Sequence, residues 1–433
     1  MRNILVISFL LFQAYLVAQE TKAISKADVL IAVQEHNNTI KMSQQDILMA
    51  KGDYNQTNAV LLPNISASHM AIATTNPLMA FGSKLNQGIL TQGDFNPALL
   101  NNPSEIQDYA TRITVEQPLL NFDGFYQRKA AKAKLNATEL QANRVNDYVE
   151  LEVEKAYMQL QLAYKAAEVL EKAKITALEN KRIANNSFVQ GYLQKSDVLA
   201  VEVRVTEIEN QLQYAKSNIQ NASNGLSVLM NDESYAILQP SDSLTIAAAE
   251  KSTLIFSETR ADIQAMESAT NAYKDMHKAD QMSFLPRLNA FGTYELHDDE
   301  IFKGATDGYL IGAELKWNLF EGGKRFGKFK KSKAEFEKSK LELDQYKAES
   351  QVELNRAKRM LQDAKNNLEL TALALSQTQE SLRIRKNRFE QGLEKTTDLL
   401  AAETQFAQKQ LEYYNTIFNH NYALAYVQFL TKG

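Results

Sequence analysis

Between Gly124 and Gly191 the chain contains neither proline nor glycine, and between Gly327 and Gly433 the one glycine is Gly392 and proline is absent. Both stretches are rich in Ala, Leu, Glu, Gln and Lys, residues that lose little side-chain freedom in a helix. They predict one helix from about Phe125 to Val189 and a second from about Arg325 to Glu390. At 1.5 Å per residue each is roughly 95 to 100 Å long. Helices of that length do not fit inside an ordinary compact domain.

Apolar spacing says how such helices pack. Val149, Val153, Ala156, Leu160, Ala163, Ala167 and Leu170 alternate steps of four and three, the spacing of a coiled-coil seam. Met158, Leu162, Ala166, Val169 and Ala173 repeat those steps. Leu162 lies two residues beyond Leu160, about 200° around a helix, so the seams face opposite ways. A helix with two opposed seams has a neighbour on each flank, as in a wall or tube of helices. The second helix carries one good seam (Leu354, Ala357, Leu361, Ala364, Leu368) and a weaker one. The seams alone also admit an elongated two-helix coiled coil.

The chain repeats itself. Phe188-Val189-Gln190-Gly191 precedes Lys195-Ser196-Asp197-Val198-Leu199-Ala200, and Phe389-Glu390-Gln391-Gly392 precedes Thr396-Thr397-Asp398-Leu399-Leu400-Ala401, with an offset of 201 throughout. Gly at a helix C′ position supplies the left-handed backbone that ends the helix. Ser196 and Thr396 are candidate caps for the returning helices, about 196–230 and 396–431. Upstream of each long helix the period changes to two. Thr111, Ile113 and Val115 alternate with Arg112, Thr114 and Glu116; Tyr309, Ile311, Ala313, Leu315 and Trp317 alternate with Gly312, Glu314 and Lys316. Period two means strands with one apolar and one polar face. The predicted strands are about 109–117 and 309–317, with earlier partners near 64–74 and 288–297. About 9 to 11 residues is the length that crosses a membrane when tilted. Tyr109, Tyr294, Tyr309 and Trp317 near the strand ends suit an interfacial aromatic girdle. A small soluble β-domain is the other reading of these strands. The first hairpin connection, about Thr75 to Asp108, is long and rich in Asn, Gly and Pro; the second is short.

Composition narrows function. The 433 residues include no Cys, which excludes disulfides, thiolate metal sites and a thiol nucleophile. No two of the five His stand at helical ligand spacing. Lys and Arg number 48 against 52 acidic residues, a net charge of −4 that argues against nucleic acid as a partner. Residues 1–18 have the pattern of a secretory signal peptide: Arg2, then an apolar stretch from Ile4 to Val17, then Ala18 as the cleavage residue. An N-terminal membrane anchor is the alternative for this segment. No convergent acid–base or nucleophile set stands out, and neither an enzyme nor a cofactor is expected. Four strands cannot satisfy their edges in lipid, so several chains must contribute strands. Three chains give twelve strands and a ring of long helices, the same symmetric oligomer demanded by the opposed seams.

The duplicated Gly-to-Asp turns, Leu62-Pro63 and Leu285-Pro286 before the first strand of each pair, and Gln117-Pro118-Leu119 and Trp317-Asn318-Leu319-Phe320-Glu321-Gly322-Gly323 after the second, resemble the TolC family of outer-membrane efflux proteins. Ala27 to Asn38, closing on an Asn-Asn pair, is similar to that family's first helix. The resemblance covers essentially the whole mature chain. It implies a mainly α fold with a small transmembrane β part: a homotrimer with a 12-stranded barrel in outer-membrane lipid and a 12-helix tunnel in the periplasm. It implies a first repeat over 19–230, an equatorial connector over 231–256 and a second repeat over 257–433. It implies a passive exit duct of a tripartite efflux or type I secretion system, opened by a periplasmic adaptor and an inner-membrane pump of the RND or ABC class. The tips meeting the adaptor would be Gly191, Tyr192 and Leu193 with Gly392, Leu393 and Glu394. The periplasmic gate would be Asp197 and Asp398, whose carboxylate rings would favour cations. Asp in the first turn of a helix is also favoured by the macrodipole alone. Two positions depart from the family pattern: Ala401 stands where a second aspartate can occur, and Glu394 where a basic gate residue can. The rival reading is a periplasmic coiled-coil adaptor or scaffold, which calls for a Gly-rich lipoyl-like β-domain beside one hairpin.

Overall fold

The computed structural model describes residues 21–248 and 255–433. The expected signal peptide and part of the 231–256 connector lie outside the described residues. In chain order the elements are β1 (Thr21–Ile24), α1 (Lys26–His36), α2 (Asn38–Gln56), β2 (Asn64–Thr74), α3 (Pro77–Asn86), α4 (Pro97–Asn101), β3 (Ile106–Leu120), α5 (Phe122–Val189), α6 (Lys195–Met230), β4 (Ile237–Pro240), α7 (Ala261–Met282), β5 (Arg287–Asp298), β6 (Thr306–Lys316), α8 (Lys324–Glu390) and α9 (Thr396–Thr431). Short 3-10 turns cover Thr57–Val60 and Gln92–Phe95. Contacts divide the chain into two compact units. One contains Asp46–Glu139 and Gln264–Asp344; the other contains the residues through Gln45, Leu140–Ile263 and Gln345–Gly433.

The helical unit is organised by the seams. Val149, Val153 and Leu160 of the first seam are buried in one cluster with Val29 and Val33 of α1, Leu226 and Met230 of α6, and Leu238 of β4. Further along, Leu170 packs with Leu212 and Ala215. Met158 and Leu162 of the second seam pack instead around Leu244, Leu368 and Ile417. So α5 has neighbours on both sides, as the opposed seams require. On α8, Leu354 and Ala357 pack against Val427 and Leu430 of α9. Each fully buried leucine here contributes about 1.5 to 3 kcal/mol. The start of α1 is fixed by a capping box: Ser25 Oγ accepts from the Asp28 amide at 3.1 Å, and the Ser25 amide donates to Asp28 Oδ2 at 3.1 Å. The Asn-Asn pair works as a joint. Asn37 Oδ1 accepts from the Thr39 and Ile40 amides at 2.9 and 3.2 Å, while its Nδ2 donates to the Leu229 carbonyl at 2.8 Å. β1 pairs in parallel with β4, Thr21 opposite Ile237.

The other unit is built on one antiparallel sheet of order β2-β3-β5-β6. Its ladders pair Ile113 with Ala67 and with Tyr294, and Tyr294 with Tyr309. Register therefore collects Ile65, Val115, Ile113, Tyr294, Ile311 and Leu315 on one face and Ser66, Thr114, Arg112, Glu295 and Glu314 on the other. The apolar face is bare: Ile65 is 66% exposed, Ile311 76% and Leu315 65%. On the polar face Arg112 pairs with Glu295 at 2.6 Å. β3 extends beyond its predicted 109–117 because Pro118, which has no N–H to donate, is absorbed at a register shift between Pro118 and Leu120. The first hairpin connection contains two helices where a long loop was expected. Asn76 and Asn96 cap them, accepting from the Met79 and Ala98 amides at 3.2 and 3.0 Å, with Pro77 and Pro97 as first helical residues. Gln87 ties this connection to β3, donating to the Gln107 carbonyl at 2.7 Å and to buried Asp108 at 3.1 Å. Among the described residues no helix is long and apolar enough to cross a membrane.

Candidate functional site

The two Gly turns have one geometry. At the end of α5 the Gly191 amide donates to the Phe188 carbonyl at 2.9 Å and the Tyr192 amide to Ser187 at 2.8 Å. At the end of α8 the Gly392 amide donates to Phe389 at 2.9 Å and the Leu393 amide to Arg388 at 2.9 Å. These are paired Schellman closures with Gly at C′, at φ +79° and +71°. A Cβ would meet nothing within 4 Å at either glycine, so the requirement is purely conformational. Gly392→Ala is accordingly expected to cost about 1 kcal/mol locally. Amide hydrogen exchange should then speed up at Leu393 and Glu394 and stay unchanged in the seams; unaltered exchange at the turn would contradict this assignment.

The turns project apolar side chains into solvent. Val189 is 84% exposed, Tyr192 80% and Leu393 62%. Leu193 is half-buried. Glu394 is folded back: it accepts from Arg385 at 2.6 Å and Arg388 at 2.8 Å, both on α8. The acidic residue at this position thus staples its own turn. An open groove of about 750 Å³ runs along α8 from Ser376 to Arg388 and reaches Glu394.

The two aspartates differ. Asp197 is half-buried and accepts from the Gln194 amide at 3.1 Å, so it stabilises the start of α6. Asp398 is exposed, and its own amide donates to the Lys395 carbonyl at 3.1 Å. Ser196 and Thr396 are not the caps: Gln194 and Lys395 hold those positions, which puts both hydroxyls inside the first turn. The Thr396 hydroxyl is buried without a hydrogen-bond partner.

Sequence reasoning missed a polar cluster beside these turns. Buried Asn180 on α5 donates to Glu403 on α9 at 2.6 Å. Burial pushes the Glu403 carboxyl up, against the Asn180 hydrogen bond and the positive charges of Arg204 and Lys386. Arg204 is buried, donates to Glu207 at 3.3 Å, and leaves its Nε unpartnered. The signal was present. Arg204 falls three residues after buried Val201 and four before Ile208, and Glu403 falls four from both Leu399 and Ala407.

Among the described residues no group of His, Cys, Asp or Glu could hold a metal ion. The chemistry on view is the display of charge and apolar surface at turns and sheet faces. The family described as outer membrane efflux protein matches residues 29–232 and 256–417. Similar solved structures include CusC, at 14% identity with 98% of this chain and 96% of that chain covered and a TM-score of 0.80. The Campylobacter jejuni CmeC outer membrane channel is 16% identical, covering 94% and 85%, with a TM-score of 0.80. The Vibrio cholerae outer membrane protein VceC is 17% identical, covering 94% and 96%, with a TM-score of 0.79. No curated protein is matched by sequence.

Proposed function

The chain belongs to the outer membrane efflux protein family, and from that premise we propose that three copies assemble into a continuous conduit from periplasm to cell exterior. The protein resides in the outer membrane, extends into the periplasm and serves as an exit duct of efflux systems. The observation that carries the trimer is the open four-stranded sheet. Among the described residues its edge strands β2 and β6 lack outer partners, and its apolar face is bare. In lipid both features are prohibitive unless the sheet closes with other copies. Pairing β6 of one copy with β2 of the next gives twelve strands. Eleven residues in β6 span about 36 Å, or roughly 26 Å when tilted by about 45°, which matches the apolar band of such barrels. The polar face carrying Arg112 and Glu295 then lines the lumen.

The same symmetry gathers α5, α6, α8 and α9 into a twelve-helix tunnel, with both seams of α5 already packed inside each copy. The Gly191 and Gly392 turns form its periplasmic tip, where exposed Tyr192 and Leu393 offer an adaptor an apolar anchor. A pump of the RND or ABC class supplies the energy. Asp398 contributes a ring of three carboxylates at the entrance, while Asp197 both lines it and accepts from the Gln194 amide at the start of α6. A coiled-coil adaptor or scaffold has no use for a sheet whose bare face is apolar, which favours the duct.

Planar-bilayer recording tests this reading. Wild type should conduct with a preference for cations. Asp398→Lys reverses three charges at an exposed position and should shift the reversal potential toward anions with the trimer intact. An unchanged preference would remove Asp398 from the entrance.

A further inference from the structure

The starts of the two long helices are rich in basic residues, of which Arg325, Lys328 and Lys134 are paired with Glu321, Asp280 and Asp53. From 324 to 333 the chain places six basic residues, Lys324, Arg325, Lys328, Lys330, Lys331 and Lys333, and no acidic one. From 124 to 138 it places four, Arg128, Lys129, Lys132 and Lys134, again with no acidic residue. The chain as a whole is net −4, so this is local concentration rather than general basicity. Both segments belong to the unit that contains the sheet. At the opposite end of the sheet the charge reverses: residues 298 to 307 hold Asp298, Asp299, Glu300 and Asp307 against Lys303.

The lysines are available. Lys324, Lys330 and Lys333 are exposed, and among the described residues none is in an ion pair, whereas Lys328 and Lys331 pair with Asp280 and Glu335. Immediately before them Trp317, Leu319 and Phe320 are 59%, 79% and 80% exposed, and Phe122 at the start of α5 is 44% exposed. Apolar side chains at the strand ends followed within a turn or two by lysines are the arrangement of an interfacial anchor. The reach also fits. Residues 324 to 333 rise about 14 Å along α8, close to a headgroup layer of about 6 Å plus a Debye length of about 8 Å.

We propose that the first turns of α8 and α5 form a collar that binds anionic phospholipid headgroups in the periplasmic leaflet of the outer membrane. The collar rests on the barrel reading and adds to it a lipid class, a leaflet and named residues. It would fix the depth of the barrel by electrostatic contact on the periplasmic side only.

The test uses the full-length protein extracted in a neutral detergent, with phosphatidylglycerol or phosphatidylcholine added and retained lipid read by native mass spectrometry. Wild type should retain phosphatidylglycerol preferentially, with the preference falling as salt rises. The triple variant Lys324→Gln, Lys330→Gln, Lys333→Gln leaves no carboxylate unpaired and should fold normally. It should lose about tenfold or more of the preference while retaining phosphatidylcholine as wild type does. Equal phosphatidylglycerol retention by the two proteins would overturn the collar with the barrel reading untouched. A wild type that enters neither phosphatidylcholine vesicles nor vesicles containing phosphatidylglycerol would overturn the barrel and the collar together. If the variant keeps its phosphatidylglycerol preference but no longer binds isolated peptidoglycan, the lysines serve the cell wall and the lipid proposal is wrong.

Discussion

Replacing Asp262 with alanine will destabilise the helical unit by about 3 to 5 kcal/mol, the cost of leaving buried cations without their counter-ion. Asp262 is buried beneath two buried arginines. Arg260 donates to it through Nε at 3.0 Å and Nη2 at 2.6 Å, and Arg144 Nε lies at 3.3 Å. Tyr346 adds a hydrogen bond at 2.7 Å. The arginines in turn reach the last carbonyls of α9: Arg144 donates to Phe429 at 3.0 Å and Arg260 to Leu430 at 3.4 Å. Two cations thus satisfy the negative end of α9, and Arg144 also sits 3.6 Å from the centroid of the Phe429 ring. Burial alone would raise the Asp262 pKa. The hydrogen bonds from Arg260 and Tyr346 and the charges of both arginines outweigh it and hold the carboxyl at about 2. Its folded pKa is below the unfolded value of about 3.9, so the stability it supplies is complete above that value and is lost as pH falls through about 2. Thermal unfolding of Asp262→Ala in detergent should show a lowered midpoint, and the difference from wild type should shrink between pH 5 and pH 2. A variant as stable as wild type at pH 7 would show that the cluster is not holding α9.

Ile311→Arg will cost about 2 to 4 kcal/mol, because Ile311 is at the middle of β6 on the face that the proposed barrel turns toward lipid. The strand runs from Thr306 to Lys316, which places position 311 at mid-depth. In water an isoleucine that is 76% exposed should tolerate arginine with little effect, so the sign of the result separates lipid from solvent. The control is Thr114→Lys on the opposite face, where register sets Thr114 against Thr293. A lumen substitution should leave assembly intact and alter conductance. Heat-modified mobility of the oligomer and the yield in the outer-membrane fraction report both. If Ile311→Arg assembles as well as wild type, that face of the sheet is wet.

The long helices were legible because their signal is exclusion. Without Pro or Gly nothing interrupts the run, and the predicted Phe125–Val189 and Arg325–Glu390 stand within three residues of α5 and α8. The seams were legible because steps of four and three recur over many turns, so single exceptions do not matter. Strand faces were legible wherever alternation was clean, as in β6. The strand limits were not, because Pro118 reads as a stop and the bulge that accommodates it has no sequence mark. The helices of the first connection were written in Asn76-Pro77 and Asn96-Pro97, a cap followed by a first-turn proline, but Asn, Gly and Pro together also read as a loop. The Asp262 cluster was out of reach. Arg144 and Asp262 are 118 positions apart, and no periodicity links them. The Gly turns and Asp197 were legible as helix punctuation. The ion pairs of Glu394 were not, since they depend on a turn geometry that brings residues six and nine positions apart together.

In the proposed conduit the sheet of this chain closes only in threes. The most direct test is the mass of the protein extracted from washed outer membranes, measured by light scattering with the detergent contribution subtracted. A species of three times the chain mass, resistant to salt and urea washing while membrane-bound, is the predicted result. A monomer or dimer recovered from the soluble periplasm would contradict it.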